Sequence, residues 1–104
     1  MNFFSGLKIA EPTFTVQRAV MTIVIAAIKA DGDIAEEEIV RLRSMCARSP
    51  LFSSNSRGED DALIGFADNV TNQFKDAAIR KAAAALKHEL RETAFAFACE
   101  IVLS

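Results

Sequence analysis

Carboxylates crowd the stretch from Ala30 to Glu38, whose sequence is ADGDIAEEE. Residues 31–38 hold five acidic side chains, in a chain that is otherwise rich in apolar residues and has a formal net charge of -2. Carboxylate oxygens are the ligands that hard cations such as Ca²⁺ and Mg²⁺ prefer, and they also attract the basic groups of proteins. The stretch therefore predicts binding of a positively charged ligand, and it indicates no reaction.

Four side chains are the candidate ligands of a divalent cation, namely Asp31, Asp33, Glu37 and Glu38. Gly32 is expected to shape the turn between them by adopting a positive φ. The spacing matches the second half of an EF-hand loop, but Ala27 and Lys29 stand where the early ligands would be. About three or four side-chain ligands are fewer than the oxygens that Ca²⁺ takes, so the sequence predicts weak binding of Ca²⁺ or Mg²⁺.

The same carboxylates also have a structural interpretation. Acidic residues in the first turn of a helix stabilise it against the helix dipole. Glu37 or Glu38 can pair with Arg41, which follows at the spacing of neighbours on a helix surface, and Asp-Gly is common turn chemistry. From the residues alone, helix capping and a binding site for a cation or a partner both stay open.

A helical framework must position these residues. Alanine is abundant, and the 104 residues include only four glycines and two prolines, a composition that favours helices over sheets. The length indicates one domain over residues 1–104, and the expected fold is all-α, a compact bundle of about five helices. The first predicted helix opens at Glu11-Pro12-Thr13, the second extends from about Ala35 to Ala47, and the third begins at Glu59. The fourth extends from about Asp76 to Lys87, and the fifth from about Glu89 to Ser104.

The last predicted helix has two apolar faces. One face is expected in the core, and the second carries Phe95, Cys99 and Val102. A helix that is apolar on two sides needs a cover on both, so these three residues predict contact with a protein partner or with a second copy of the chain. Cys46 and Cys99 are both expected in the packed interior, and they have neither the number nor the spacing of a disulfide framework.

A family resemblance is carried by two stretches, residues 26–38 (AAIKADGDIAEEE) and residues 93–101 (TAFAFACEI). They resemble the TerB-like helical domain of the tellurite resistance family, which is also related to the N-terminal part of membrane-attached DnaJ-type co-chaperones. The resemblance implies an all-helical bundle with two Asp-Gly acidic corners that hold a divalent metal. It also implies a role in tellurite, metal or stress resistance.

Only the first acidic corner is present in this sequence. The first and last predicted helices have a similar spacing of apolar residues. If Ser104 is aligned with Ala30, a second Asp-Gly would come directly after the last residue. The end at Ser104 therefore has two interpretations, a natural end of the chain or an N-terminal fragment of a longer, two-fold protein that lacks the second acidic corner. The last predicted helix is still unfinished at Ser104, which favours the fragment.

Enzymatic activity is not predicted. His88 is the only histidine, and no nucleophile and orienting acid stand at a spacing that would make it a catalytic base. The net charge gives no broad attraction for nucleic acid. A set of basic residues is expected to form solvated surface, namely Lys75, Arg80, Lys81, Lys87 and Arg91.

The sequence as a whole predicts a non-enzymatic module in the cytoplasm. The N-terminus does not have the pattern of a signal peptide, and the apolar run over residues 16–30 is too short and too often interrupted by polar residues to span a membrane. The primary hypothesis is weak binding of a divalent cation at the acidic corner. The alternative is a protein-interaction scaffold without metal, in which the acidic corner docks a basic partner.

Overall fold

The structure, a computed structural model, describes residues 11–30 and 32–103, and about three quarters of these residues are helical. This part contains five α-helices and no strand. The helices are α1 (Val16–Lys29), α2 (Glu36–Arg48), α3 (Arg57–Phe74), α4 (Asp76–Ala84) and α5 (His88–Leu103). The prediction of a compact all-α bundle of about five helices is confirmed.

The central helix of the bundle is α1. Residues 19–25 are all buried, and the helix packs against α3, α4 and α5, because apolar residues occupy nearly every side of it. Thr15 caps its start, where the threonine hydroxyl accepts a hydrogen bond from the amide of Arg18 at 3.1 Å. The helix begins at Val16, later than the predicted opening at Glu11-Pro12-Thr13, because the side chain of Thr15 supplies the acceptor that a helix start needs.

An amphipathic helix, α2, rests chiefly on α5. Its buried residues are Leu42, Met45 and Cys46, which confirms the interior position predicted for Cys46. The helix ends at Arg48, one residue after the predicted Ala47, since Pro50 disfavours a helical conformation for the residue before it. The following connection is anchored in the core by Phe52, which is 1% exposed.

The start of α3 lies earlier than predicted. Ser56 Oγ accepts a hydrogen bond from the amide of Glu59 at 3.1 Å, and Glu59 Oε1 accepts one from the amide of Ser56 at 2.7 Å. This reciprocal pair is a capping box, and it moves the first helical residue from the predicted Glu59 to Arg57. The Ser-x-x-Glu pattern was the sequence signal that the prediction missed.

Two short breaks separate the last three helices. Lys75 has φ 55 and ψ -128 between α3 and α4, a conformation that residues other than glycine rarely adopt. The amides of Ala85 and Leu86 bond to carbonyls three residues back, at 3.1 Å each. This tightens the turn and ends α4 at Ala84, before the predicted Lys87.

Candidate functional site

The turn between α1 and α2 depends on one glycine. Gly32 has φ 132, the positive value that the sequence predicts, and its amide donates to the carbonyl of Lys29 at 3.1 Å. A side chain at this position would meet no heavy atom within 4 Å. The requirement for glycine therefore comes from the backbone conformation and not from a lack of space.

The carboxylates of the turn have different surroundings. Asp31 lies outside the described residues. Asp33 and Glu37 are exposed, and within the described part of the chain neither makes a hydrogen bond or an ion pair. Glu38 is half-buried, and its Oε1 accepts a hydrogen bond from the amide of Ala35 at 2.9 Å.

Glu38 therefore has a structural role at the start of α2. Ala35 occupies the N-cap position and has no side-chain acceptor, so Glu38 provides only one half of a capping box, the bond back to the N-cap amide. The structural interpretation of the acidic stretch thus holds for this residue. The predicted ion pairs of Glu37 or Glu38 with Arg41 do not occur among the described contacts.

The described carboxylates do not by themselves fit a divalent cation. Among the residues that the structure describes, no three His, Cys, Asp or Glu side chains are gathered so that they could hold a metal ion. Ca²⁺ takes about six to eight oxygen ligands, and Oε1 of Glu38 already accepts a hydrogen bond from the amide of Ala35. Because Asp31 lies outside the described residues, the complete ligand set of Asp31, Asp33, Glu37 and Glu38 stays a prediction.

A groove of about 530 Å³ lies beside this turn, between α2 and α3. We refer to it as the α2–α3 groove. It is lined by Lys29, Asp33, Ile34, Ile39, Arg43, Asp61, Ile64, Gly65, Asp68 and Asn72. Among the predicted ligands that the structure describes, Asp33 is the one in the lining of this groove, and the groove extends the acidic turn toward the middle of α3.

Two ion pairs link the helices around the groove. Arg43 on α2 donates through Nη2 to Asp61 Oδ1 on α3 at 3.0 Å. Lys29 at the end of α1 reaches Asp68 Oδ1 on α3 at 2.7 Å. Both aspartates therefore have a cation already, which leaves Asp33 as the carboxylate of the lining that has no partner among the described residues.

Lys29 has a larger role than the sequence suggested. Besides Asp68, its Nζ donates to Thr71 Oγ1 at 3.0 Å and to Asn72 Oδ1 at 2.5 Å. An ammonium group has three donors, and all three are used by one face of α3. The polar residues at positions 68, 71 and 72 share that face, and this spacing was the signal that would have indicated a half-buried cation opposite them.

The second face of α5 is only partly as predicted. Phe95 is 45% exposed and Cys99 is exposed, but Val102 is partly buried and packs against the core. The prediction that Cys99 lies in the packed interior was wrong, because α5 is apolar on two sides and only the side of Ala94 and Ala98 faces α1. Contact of Phe95, Cys99 and Val102 with a partner stays a prediction.

The remaining candidate residues lie at the surface. His88 is exposed, and its Nε2 is 3.5 Å from Glu92 Oε2, one helical turn further on. Lys81 is half-buried, with Nζ at 3.4 Å from Glu11 Oε2 and 4.9 Å from the ring centroid of Phe74. The other four predicted surface cations are exposed, namely Lys75, Arg80, Lys87 and Arg91.

The fold and the turn together define an all-α helical bundle with an acidic turn between its first two helices. No family model, curated protein or solved structure gives a significant match to the chain. Among the described residues, no helix has both the length and the apolar character needed to cross a bilayer. The TerB-like resemblance continues to rest on residues 26–38 and 93–101 alone.

Proposed function

We propose that the chain is a non-enzymatic, TerB-like binding module whose acidic turn docks a positively charged segment of a protein partner. The observation that carries the proposal is the exposure of Asp33 and Glu37, two carboxylates without a partner among the described residues. A lysine or arginine of a partner would form charge-assisted hydrogen bonds with them. The resemblance adds a role in tellurite, metal or stress resistance, and a cytoplasmic setting stays a prediction from the sequence.

A divalent cation is the second candidate ligand. The same two exposed carboxylates favour it, since with Asp31 they would supply oxygen ligands around the turn at Gly32. The cap formed by Glu38 weakens this candidate, because Oε1, one of the two carboxylate oxygens of that residue, already accepts a hydrogen bond from the amide of Ala35. We therefore place the basic partner first and the cation second.

Titration of the folded chain with an oligolysine peptide tests the docking proposal. Asp33→Asn with Glu37→Gln should weaken binding by about two- to thirtyfold, because exposed ion pairs contribute about 0.2–1 kcal/mol each. Asp76→Asn with Glu89→Gln is the matched control, since it removes two exposed acids from the first turns of α4 and α5. Equal losses in the two double variants would contradict a site at the acidic turn.

Thermal melting distinguishes the two candidate ligands. A cation that binds the folded state raises the melting temperature, and Asp31→Ala with Asp33→Ala should abolish that rise. A rise with millimolar Ca²⁺, Mg²⁺ or Mn²⁺ in the unchanged chain would put the cation first. No rise, together with oligolysine binding that depends on Asp33 and Glu37, is the result we expect.

A further inference from the structure

We infer that the α2–α3 groove receives an amphipathic, basic helix of a partner protein, and that the bare backbone at Gly65 is the point of closest approach. This inference rests on the proposed function, because it names the kind of partner and the surface that binds it. It goes beyond that function because it predicts that apolar side chains of the partner bind in the groove beside the acidic turn.

Gly65 is not explained by packing within the chain. It lies inside the 18-residue helix α3, where glycine weakens a helix relative to alanine. Its φ is not positive, and a Cβ at this position would meet no heavy atom within 4 Å. Neither backbone conformation nor crowding therefore requires glycine, and its effect is to leave uncovered backbone in the wall of the groove.

Uncovered helix backbone allows another chain to approach closely. Three isoleucines lie around the same groove, and each is half-buried, namely Ile34, Ile39 and Ile64. They offer an apolar surface to side chains that enter the groove. A purely electrostatic ligand, such as a metal ion or an extended lysine segment, would make no use of this surface.

The charges of the groove favour a cationic occupant. Its lining has three carboxylates (Asp33, Asp61 and Asp68) against two cations (Lys29 and Arg43). Both cations are engaged by aspartates, so the unpartnered charge is the negative one on Asp33. The first turn of α2 adds the exposed Glu36 and Glu37, which strengthens the attraction for basic residues at one end of an incoming helix.

A helix is the occupant that suits a groove between two helices. An amphipathic helix presents apolar residues three and four positions apart to such a groove and keeps its charged residues at the rim. Addition of a strand would need an exposed sheet edge, and the described part of the chain has no strand. The inference therefore commits to a partner helix with an apolar stripe flanked by lysine or arginine.

A pair of displayed peptide libraries tests this inference. Both libraries randomise the apolar stripe of a short amphipathic helix, and the flanking positions are fixed as lysine in one and as glutamate in the other. We expect the unchanged chain to enrich binders from the lysine library only. Gly65→Leu, which fills the groove, should weaken those binders by at least about tenfold without lowering the melting temperature.

Gly58→Leu is the matched control variant. Gly58 lies in the first turn of the same helix and outside the groove, and a Cβ there would meet only Ser56 Oγ, at 3.9 Å. Binders should tolerate this change. The inference is overturned if the lysine library gives no more binders than the glutamate library, or if the selected peptides bind Gly65→Leu as well as they bind the unchanged chain.

Failure of this inference can be separated from failure of the proposed function. If oligolysine binding depends on Asp33 and Glu37 but no peptide responds to Gly65→Leu, the acidic turn is a docking site and the groove is not. If oligolysine binding is unaffected by Asp33→Asn with Glu37→Gln, and peptide binding is unaffected by Gly65→Leu, both proposals are contradicted.

Discussion

The two cysteines lie in opposite environments. Cys46 on α2 is fully buried, and this burial raises the pKa of its thiol from 9.0 to about 12, with the negative charge of Asp60 acting in the same direction. Cys99 on α5 is exposed. Because the thiolate is the reactive form of cysteine, Cys46 is protected both by its burial and by its proton.

Alkylation of the folded chain should therefore be selective. We expect iodoacetamide at mildly alkaline pH to modify Cys99 and to leave Cys46 unmodified until the chain is unfolded in guanidinium. Mass spectrometry of the digested protein measures both sites in one sample. Similar rates at the two cysteines in the folded chain would contradict the burial of Cys46.

Single residues also show where prediction from sequence succeeds. The interior position of Cys46 and the positive φ of Gly32 follow from local patterns, an apolar stripe and a turn that ends a helix. The exposure of Cys99 and the hydrogen bonds of Lys29 to α3 depend on which helix lies opposite. The tertiary arrangement of the helices decides this, and the spacing of apolar residues within one helix does not reveal it.

Among the helical elements, the starts of α1 and α3 are set by side chains that accept backbone hydrogen bonds. Thr15 caps α1, and Ser56 with Glu59 caps α3. In α2 the N-cap is Ala35, and the one side chain that accepts a backbone hydrogen bond among the described contacts at that end is Glu38. The start of α2 thus lacks the N-cap side-chain acceptor that α1 and α3 have, at the place where the acidic turn meets the groove.

Removal of the α3 cap should be measurable. Ser56→Ala deletes the acceptor for the amide of Glu59, so we expect the free energy of unfolding to fall by about 1 kcal/mol, as is typical of N-cap serines. Guanidinium unfolding would show a lower midpoint with an unchanged slope.

Ser54→Ala is the control for this change. Ser54 lies in the same connection and is exposed, and no hydrogen bond of its side chain occurs among the described contacts. If the two substitutions lower the midpoint equally, the capping box does not stabilise α3.

The number of helices and their order were predictable because each has a clear apolar period. The boundaries of the helices were less predictable. The capping box at Ser56 was visible in the sequence, whereas the left-handed conformation of Lys75 was not, because lysine has no preference for it. The α2–α3 groove was also not predictable, since it results from the way α2 rests on α5 while α3 packs against α1.

In the molecule as a whole, buried contacts are unevenly distributed. The central helix α1 has eight buried residues and packs on three helices, whereas α2 has three buried residues and rests chiefly on α5. Among the described residues, the ion pair that links α2 to α3 across the groove is Arg43–Asp61, whose side chains are 37% and 45% exposed. Pairs this exposed contribute little to stability.

We therefore expect α2 to open at a lower free energy than the rest of the bundle. In native-state hydrogen exchange at low denaturant concentrations, the amide of Leu42 on α2 should exchange through a partial opening, and the amide of Ile23 on α1 only through global unfolding. Equal opening free energies at the two amides would show that the bundle unfolds as one unit. A lower value at Leu42 would mean that the wall of the groove formed by α2 can move while α1 and its packing against α3 stay intact, so that a bound helix could widen the groove without unfolding the core.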